Sequence, residues 1–177
     1  AKKQVEKLGD RRDPNYSFGT NPCSEIILRD AEFCNLTEVV IRPNDKPDTL
    51  KEKVRLATIL GTWQATLTNF RYLSKEWKKN CDEEALLGVS LTGIMDNAYT
   101  NGIHYGINKK GLPSLLESLK AIAVDTNKVT SKQLGINPSA AITCVKPSGT
   151  VSQLVDAASG IHTRHSPYYI RTVRGDK

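Results

Sequence analysis

Apolar side chains recur along the chain at two characteristic spacings, which predict a strand followed by a helix. Residues 32–41 are rich in β-branched and apolar types and predict a buried strand. Over residues 49–72 the apolar positions return every three or four residues, the period of an amphipathic helix. Those positions are Leu50, Val54, Ala57, Leu60, Trp63, Leu67 and Phe70. The intervening residues 42–48 contain turn-forming types and are predicted to connect the two elements.

A second helix is predicted farther along, ending at Asn97. Its N-cap would be Asn80 or Asp82, because either side chain can accept a hydrogen bond from the first helical amides. Its small residues would allow close packing against another backbone. They are Gly88, Ser90 and Gly93.

The last third of the chain predicts a third helix and two further strands. Pro113 suits a first helical turn, the helix runs to residue 134, and Gly135 is placed to end it. Residues 141–146 predict a short strand, 151–159 a short helix and 166–174 a final strand. Strands thus alternate with helices, which favours an α/β fold with a parallel sheet. Three strands are too few to close a barrel.

Composition and charge narrow the possible classes of protein. The chain has 177 residues, enough for one domain with a hydrophobic core, and a formal net charge of +6 that is spread along the sequence. No apolar run is long enough to span a membrane, and the polar N-terminus does not resemble a signal peptide. We therefore expect a cytoplasmic protein with no membrane partner. Both ends look cut from a longer sequence, so we interpret residues 1–177 as a fragment of one domain.

The cysteine pattern excludes two common structural roles. None of the four cysteines forms a C-x-x-C pair, and no histidine lies at metal-ligand spacing from them, so we expect no metal site. Four cysteines in a chain of this length without a secretory signal do not predict a disulfide scaffold. They are Cys23, Cys34, Cys81 and Cys144. Each is either a small buried apolar residue or a group with chemistry of its own.

The sequence TNPCSE places Cys23 beside an amide and a carboxylate. Asn21 and Glu25 lie two residues on either side of it, so an extended segment would put all three side chains on one face. The carboxylate would suit a general base acting on a substrate hydroxyl held by the amide. It would raise the pKa of the thiol, which disfavours thiolate nucleophilic catalysis. Cys34 could be one half of a redox pair, although from the strand alone a buried apolar role is the simpler interpretation.

The sequence PSGT, which follows the strand at 141–146, is a candidate anion site. A strand that enters a tight glycine turn and then a helix directs backbone amides at one point, where the helix dipole favours an anion. Ser148, Gly149 and Thr150 would form this site, with Lys146 nearby. It lacks the Walker A spacing, and these four residues alone fit an ordinary strand–turn–helix junction equally well.

Taken together, these motifs resemble the large catalytic chain of the ribonucleotide reductases. Within that family they are most similar to the adenosylcobalamin-dependent, monomeric ribonucleoside-triphosphate reductases, which show the eleven-residue interval between Cys23 and Cys34. The resemblance covers most of the chain from Gly19 to Arg174. The motifs that carry it are NPCSEI, EFCNL, GVSLTGIMD, KPSGTVSQL and SGIHTRHSPYYIRTVR.

The resemblance implies the C-terminal portion of a ten-stranded α/β barrel with a finger loop at about 17–31 and a phosphate-binding turn at about 146–152. It implies that Cys23 becomes a thiyl radical that removes the 3′ hydrogen of a ribonucleotide. Glu25 would take the 3′-hydroxyl proton, Asn21 would orient the substrate hydroxyls, and Cys34 would supply electrons with a second cysteine. The turn would hold the substrate phosphates through Ser148, Gly149 and Thr150.

The same resemblance implies adenosylcobalamin as cofactor, a thioredoxin-type reductant and a triphosphate substrate. The second reducing cysteine and the C-terminal cysteine pair of the family have no counterpart here, so Cys81 and Cys144 are interpreted as structural. We expect the isolated fragment to be inactive. Two alternatives remain, a reductase chain that depends on a metal-loaded subunit and a basic nucleic-acid-binding module. The second would need a basic stripe interleaved with exposed aromatic residues, which the chain lacks, so we expect no nucleic-acid partner.

Overall fold

The computed structural model describes Lys3, Glu6 and residues 12–106, 111–170 and 172–175. Four strands and four helices occur in these ranges, with short 3₁₀ turns at Ile94–Asp96 and Ile103–Tyr105. The strands are β1 (Phe18–Thr20), β2 (Ile27–Arg29), β3 (Asn35–Val40) and β4 (Leu87–Thr92). The helices are α1 (Pro47–Gln64), α2 (Lys75–Glu84), α3 (Gly111–Leu134) and α4 (Val151–Leu154). No helix in the described ranges is long and apolar enough to cross a membrane.

The strands form two separate pairings, a parallel sheet and an antiparallel hairpin. β3 and β4 are parallel, with Asn35 opposite Leu87 and Val40 opposite Thr92. β1 and β2 form the hairpin. Residues 141–144 run parallel to β4 on its other side, where the amide of Cys144 donates to the carbonyl of Val89 at 3.1 Å. The predicted strand at 141–146 is therefore reduced to a short bridge, and the α/β class with a parallel sheet is confirmed.

One face of the parallel sheet is covered by helices and forms the hydrophobic core. α1 packs against α3 and against both strands of the sheet. The buried side chains come from all of these elements, since a parallel sheet must bury the face that its crossover helices cover. They are Val39, Ile41, Leu50, Val54, Ala57, Val89, Leu115, Leu119 and Ala123. The opposite face of the parallel sheet carries a different set of side chains.

The prediction of a helix over 49–72 is wrong at its C-terminal end, because α1 stops at Gln64. The amides of Thr66 and Leu67 bond three residues back instead of four, and the Thr66 hydroxyl also donates to the Trp63 carbonyl at 2.7 Å. Threonine side chains compete in this way for helix carbonyls and favour turns. The apolar period continues past this point, but Leu67 is 72% exposed and contributes no burial that would extend the helix.

The prediction of one helix through Asn97 is also wrong, because the chain changes from helix α2 to strand β4. Ala85 adopts a left-handed conformation with φ 44° and ends α2. The next residues are buried on both sides, which is the usual state of a strand inside a parallel sheet. The small residues do allow close approach: directly after the strand, a Cβ at Gly93 would lie 2.7 Å from the Ile41 carbonyl oxygen.

The third predicted helix is confirmed and the final strand is not. α3 ends at Leu134, and Gly135 follows with φ 69°, the left-handed conformation that stops a helix at low cost for glycine. Residues 166–170 and 172–174 form no strand, although their composition predicts one. Tyr168 and Ile170 are more than 90% exposed, and a strand needs a neighbouring strand to satisfy its backbone.

The hairpin is anchored to α2 by a buried cluster of charges. Arg12 and Arg29 contact the carboxylate of Glu84 at 2.6 and 3.1 Å, and all three side chains are 3% exposed. Glu32 accepts from the Arg29 amide at 2.8 Å, and burial together with a hydrogen bond to Glu84 raises the pKa of Glu32 to about 8. Removing one partner from such a cluster leaves an uncompensated buried charge, which typically costs about 3–5 kcal/mol. The base of the hairpin is therefore firmly held.

Candidate functional site

The face of the parallel sheet that points away from the helices carries polar and sulfur side chains. Along β4 these positions are Gly88, Ser90 and Thr92, alternating with core residues such as Val89. The neighbouring chain segments contribute Cys34, Leu36, Glu38, Cys144 and Lys146. We call this surface the site face.

The hairpin packs onto the site face at Gly88. A Cβ at this position would lie 2.5 Å from Leu36 Cδ2, 3.0 Å from Cys144 Sγ and 3.2 Å from Ile26 Cδ1. Ile26 is buried and belongs to the loop of the hairpin. Because glycine has no side chain at this point of β4, the hairpin loop can approach the sheet closely. This contact positions the residues of the NPCSE motif over the sheet.

The tip of the hairpin is a tight turn, so the expectation of an extended segment is wrong. The Ser24 amide donates to the Asn21 carbonyl at 2.9 Å, and Ser24 has a left-handed backbone with φ 60°. The Asn21 side chain stabilises the turn by accepting from the Ile26 amide at 3.0 Å. As a result Cys23 is exposed at the tip while the side chain of Glu25 turns inward, so these side chains do not share one face.

Glu25 forms an ion pair across the site face with Lys146. Its Oε1 lies 3.3 Å from Lys146 Nζ, and its side chain is only 3% exposed. Its other oxygen, Oε2, is buried and has no hydrogen-bond partner among the described residues. Leaving a buried acceptor unpaired typically costs about 1–3 kcal/mol, more for a charged group. One carboxylate oxygen is therefore anchored and the other is available to a ligand.

Opposing effects act on the charge of Glu25. Burial favours the neutral acid, but hydrogen bonds from its own amide, from Asn21 and from Lys146, with the Lys146 charge, outweigh it and lower the pKa of Glu25. A glutamate with a lowered pKa is ionised at neutral pH and can accept a proton. The residue expected to act as a base is thus present in its basic form.

Cys34 and Cys144 are both thiols of the site face. Burial raises the pKa of Cys34 to about 12, with the nearby Cys144 as the next cause. Burial raises the pKa of Cys144 to about 11, with Glu25 as the next cause. Both remain protonated at neutral pH, and none of the four cysteines is in a disulfide. Cys81 is different, since its Sγ accepts from the Phe33 amide at 3.3 Å away from this face.

The PSGT turn begins with a buried serine. Ser148 has φ 53°, and its hydroxyl donates to Glu38 Oε2 at 2.5 Å and accepts from Thr92 Oγ1 at 2.8 Å. Thr92 Oγ1 also lies 2.6 Å from the same Glu38 oxygen, so its single hydroxyl hydrogen can bond to either Ser148 or Glu38. These bonds hold Ser148 in a conformation that is otherwise unfavourable for a residue with a side chain. The Ser148 hydroxyl is therefore part of the support of the turn.

Gly149 and Thr150 form the exposed part of the same turn. A Cβ at Gly149 would meet no atom within 4 Å, and the Thr150 side chain makes no capping hydrogen bond to α4. Gly160 closes the chain behind the turn: its amide donates to the Pro147 carbonyl at 3.0 Å, and a Cβ there would lie 1.8 Å from the Lys146 carbonyl oxygen. The turn thus has a fixed base and an open outer surface.

Three residues of the site were missed or given other roles by sequence reasoning. Glu38 was placed only in a strand, Cys144 was interpreted as structural, and Lys146 was considered only as a neighbour of the turn. Alternation along 34–38 and 142–148 places them on one face, but only if the strand pairing is known. The ion pair between Lys146 and Glu25 joins residues 121 positions apart.

Comparison with known proteins relates the chain to one enzyme family. No family model matches it. It is 32% identical to the adenosylcobalamin-dependent ribonucleoside-triphosphate reductase of Lactobacillus acidophilus, over 88% of this chain and 23% of the relative. It is 29% identical to the reductase of that name from Lacticaseibacillus paracasei, over 95% of this chain and 25% of the relative.

A solved structure gives the same result. The chain resembles the crystal structure of a B12-dependent (class II) ribonucleotide reductase with a TM-score of 0.65 and 27% identity, over 81% of this chain and 22% of that one. The chain spans about a quarter of the length of these relatives, as the shares of 23% and 25% show. Sequence and structure together relate the chain to one part of the adenosylcobalamin-dependent ribonucleotide reductases.

Proposed function

We propose that the chain is the catalytic segment of an enzyme that reduces ribonucleoside triphosphates to 2′-deoxyribonucleotides by thiyl-radical chemistry. The observation that carries this proposal is Glu25, a buried carboxylate with one oxygen held by Lys146 and the other without a partner. Buried polar groups are nearly always paired, so an orphaned carboxylate oxygen implies a ligand that supplies a hydrogen-bond donor. A ribose hydroxyl is such a donor.

The spacing of the site suits a nucleotide. Lys146 contacts Glu25, and Gly149 lies three residues farther along the same segment. Three residues of extended chain span at most about 10 Å, the scale of the distance from a ribose hydroxyl to its phosphates. The exposed surface of Gly149 and Thr150 would hold phosphates through backbone amides and the free hydroxyl. Ser148 supports this turn through Glu38, so its contribution to phosphate binding is made by its backbone.

Each side chain has one step in the proposed reaction. The thiyl radical of Cys23 takes the 3′ hydrogen atom and Glu25 accepts the 3′-hydroxyl proton, and the 2′-hydroxyl leaves as water with a proton from a reducing thiol. Cys23 and Glu25 later return the hydrogen atom and the proton to the product. Asn21 orients the ribose hydroxyls beside Glu25, which its side chain already contacts. Cys34 and a second thiol then supply two electrons and two protons and become a disulfide. A protonated Cys34 suits this step, because a thiol can give both a proton and an electron.

The cofactor that the relatives' names specify is compatible with the hairpin tip. Cys23 is exposed and free, so its S–H bond is accessible to a group that approaches the site face. Adenosylcobalamin, when bound, supplies the carbon radical that removes the hydrogen atom of this thiol. Cys23 is the residue that would face it, and the tight turn at 21–24 would hold its backbone in place.

The rest of the enzyme follows from the same proposal. We infer that the hairpin is the finger loop of a ten-stranded α/β barrel, of which the sheet described above is one part, and that a thioredoxin-type protein resets the disulfide. The sheet edge beyond residues 141–144 would pair with further strands of the barrel. Such a reductase would act in the cytoplasm, where thiols stay reduced.

A role in nucleic-acid binding has less support. Arg164 lies beside the exposed Tyr168 and Tyr169, but its guanidinium contacts Asp96 at 3.2 Å and Asp156 at 2.8 Å. Two carboxylates compensate this charge, so the segment is a poor match for a phosphate backbone. The Tyr169 hydroxyl is also bonded to Gln153.

The choice of radical source separates the proposed enzyme from a reductase with a metal-loaded subunit. Full-length reductase is incubated anaerobically with a ribonucleoside triphosphate and a dithiol, with either adenosylcobalamin or an iron- or manganese-loaded partner. Formation of deoxyribonucleotide only with adenosylcobalamin supports the proposal. Turnover that requires the metal-loaded partner and ignores adenosylcobalamin would contradict the assignment of the cofactor.

Replacing Gly149 with valine tests whether the PSGT turn binds phosphates. In this role we call it the phosphate turn. A Cβ here meets no protein atom within 4 Å, so the fold should be unaffected while the new side chain blocks the approach of phosphates to the backbone. We expect an increase of about tenfold or more in the dissociation constant of the triphosphate, measured by calorimetry on the full-length protein. Gly19→Val is the matched control, because it too meets no atom within 4 Å and lies away from the turn. Unchanged affinity in Gly149→Val would remove the turn from the binding site.

A further inference from the structure

Lys146 lies between the two halves of the candidate site. Its backbone amide donates to Ser90 Oγ at 2.9 Å, which fixes the residue against β4. Its ammonium group reaches the hairpin and contacts Glu25 Oε1 at 3.3 Å. Its side chain is 23% exposed, whereas that of Glu25 is 3% exposed, so the ion pair is only weakly screened by solvent. The next residues, from Pro147 onward, form the phosphate turn.

The charges around this pair explain why Lys146 remains a cation. Burial lowers the pKa of Lys146, but the hydrogen bond and charge of Glu25, with smaller effects of Cys23 and Glu38, outweigh burial and raise it. On the other side, Cys144 and Cys34 are near enough to Glu25 to sense its charge. Both are thiols with raised pKa values and stay neutral. Lys146 is therefore the cation that compensates the buried charge of Glu25.

We propose that Lys146 is a positioning residue for the base: it keeps Glu25 ionised and fixes its Oε1, so that Oε2 faces the ribose hydroxyl. This inference rests on the proposed role of Glu25 in the reaction. It differs from a role for Lys146 as a phosphate ligand, because its ammonium group is engaged by the carboxylate and points to the hairpin rather than to the turn. The two roles predict different kinetics.

The first experiment replaces Lys146 with methionine in the full-length reductase and records kcat/KM against pH. Without the cation, the hydrogen bond and the charge of Lys146 no longer lower the pKa of Glu25, so this pKa rises from its value in the wild type. A base must be deprotonated to act, so the acidic limb of the profile moves to higher pH. We expect a shift of about one pH unit or more, with the rate recovering as the pH is raised. A loss of activity caused only by disturbed packing would not be reversed by raising the pH.

Two further variants keep the test independent of folding. Lys146→Arg retains the charge, so the acidic limb should stay at its wild-type pH whatever the maximum rate. Lys146→Gln retains a hydrogen-bond donor without the charge and should move the limb in the same direction as methionine. Lys53→Met is the matched control, because Lys53 also pairs with a carboxylate, Asp45 at 2.5 Å, but lies away from the site face. It should lower stability and leave the limb unmoved.

The outcomes separate this inference from the proposed function. If the wild-type reductase does not reduce the triphosphate, the proposed function fails, whereas an active Glu25→Gln variant shows only that Glu25 is not the base. If Glu25→Gln is inactive but the limb stays in place in both uncharged Lys146 variants, only the role of Lys146 is overturned. A KM that rises equally at every pH, with no shift of the limb, would likewise overturn it and identify Lys146 as a phosphate contact. An acidic limb that moves to higher pH, with kcat/KM recovering at high pH, supports the inference.

Discussion

Replacing Cys23 with serine should abolish ribonucleotide reduction and leave nucleotide binding nearly unchanged. Cys23 is exposed at the hairpin tip, where serine fits without altering the packing. An S–H bond gives up its hydrogen atom to a carbon radical far more readily than an O–H bond does, so the serine variant cannot carry the radical. The loss should therefore appear in kcat, measured as deoxyribonucleotide formed, while the dissociation constant of the triphosphate is retained.

Cys81→Ser is the matched control for this prediction. It makes the same chemical change at a buried thiol that accepts from the Phe33 amide and lies away from the site face. We expect a lower melting temperature and undiminished turnover below it. Appreciable turnover by Cys23→Ser would exclude Cys23 as the radical residue, and inactivity of both variants would mean that the assay reports stability instead of chemistry.

Replacing Glu25 with glutamine should produce the second large effect. Glutamine preserves the size of the side chain but cannot take a proton from the 3′-hydroxyl. General-base catalysis typically contributes about 10²- to 10⁴-fold, so we expect a fall in kcat of that order with little change in KM. Steady-state kinetics at saturating triphosphate measures this change. Because Lys146 would lose the carboxylate that it contacts, thermal unfolding should be recorded alongside.

Glu52→Gln provides the comparison for the glutamine variant. Glu52 also pairs with a cation, Arg55 at 2.6 Å, but its side chain is 54% exposed on α1. Exposed ion pairs of this kind contribute little to stability, so both stability and turnover should be retained. Wild-type kcat in Glu25→Gln would mean that the proton leaves by another route and that the buried carboxylate has only a structural role.

The elements that the sequence predicts best are those with local signals at both ends. α3 has a proline in its first turn and a glycine directly after Leu134, and the structure reproduces its end. β3 also lies within its predicted range. The sequence places the range of β4 within a predicted helix, because the six residues LGVSLT are too few to carry a decisive period. Its pairing with β3, a tertiary interaction, decides the outcome.

For the candidate site, too, the sequence predicts which residues are involved better than it predicts their contacts. The NPCSE motif is enough to select Cys23 and Glu25 as candidate site residues. It does not predict how their side chains are arranged, because the left-handed Ser24 turns the chain between them. The pairing of Glu25 with Lys146 depends on the hairpin docking over Gly88, which no local pattern encodes. The bond from Ser148 to Glu38 under the PSGT turn likewise requires the register of the sheet.

The central claim is that the hairpin tip holds a radical on Cys23 during turnover. Full-length reductase is prepared with cysteine deuterated at Cβ, mixed with adenosylcobalamin and triphosphate, and frozen within one turnover for electron paramagnetic resonance. We expect a protein-dependent signal that narrows on deuteration, because the unpaired electron couples to the Cβ hydrogens, and that is missing in Cys23→Ser. A signal that is insensitive to deuteration, or that persists in Cys23→Ser, would contradict the claim.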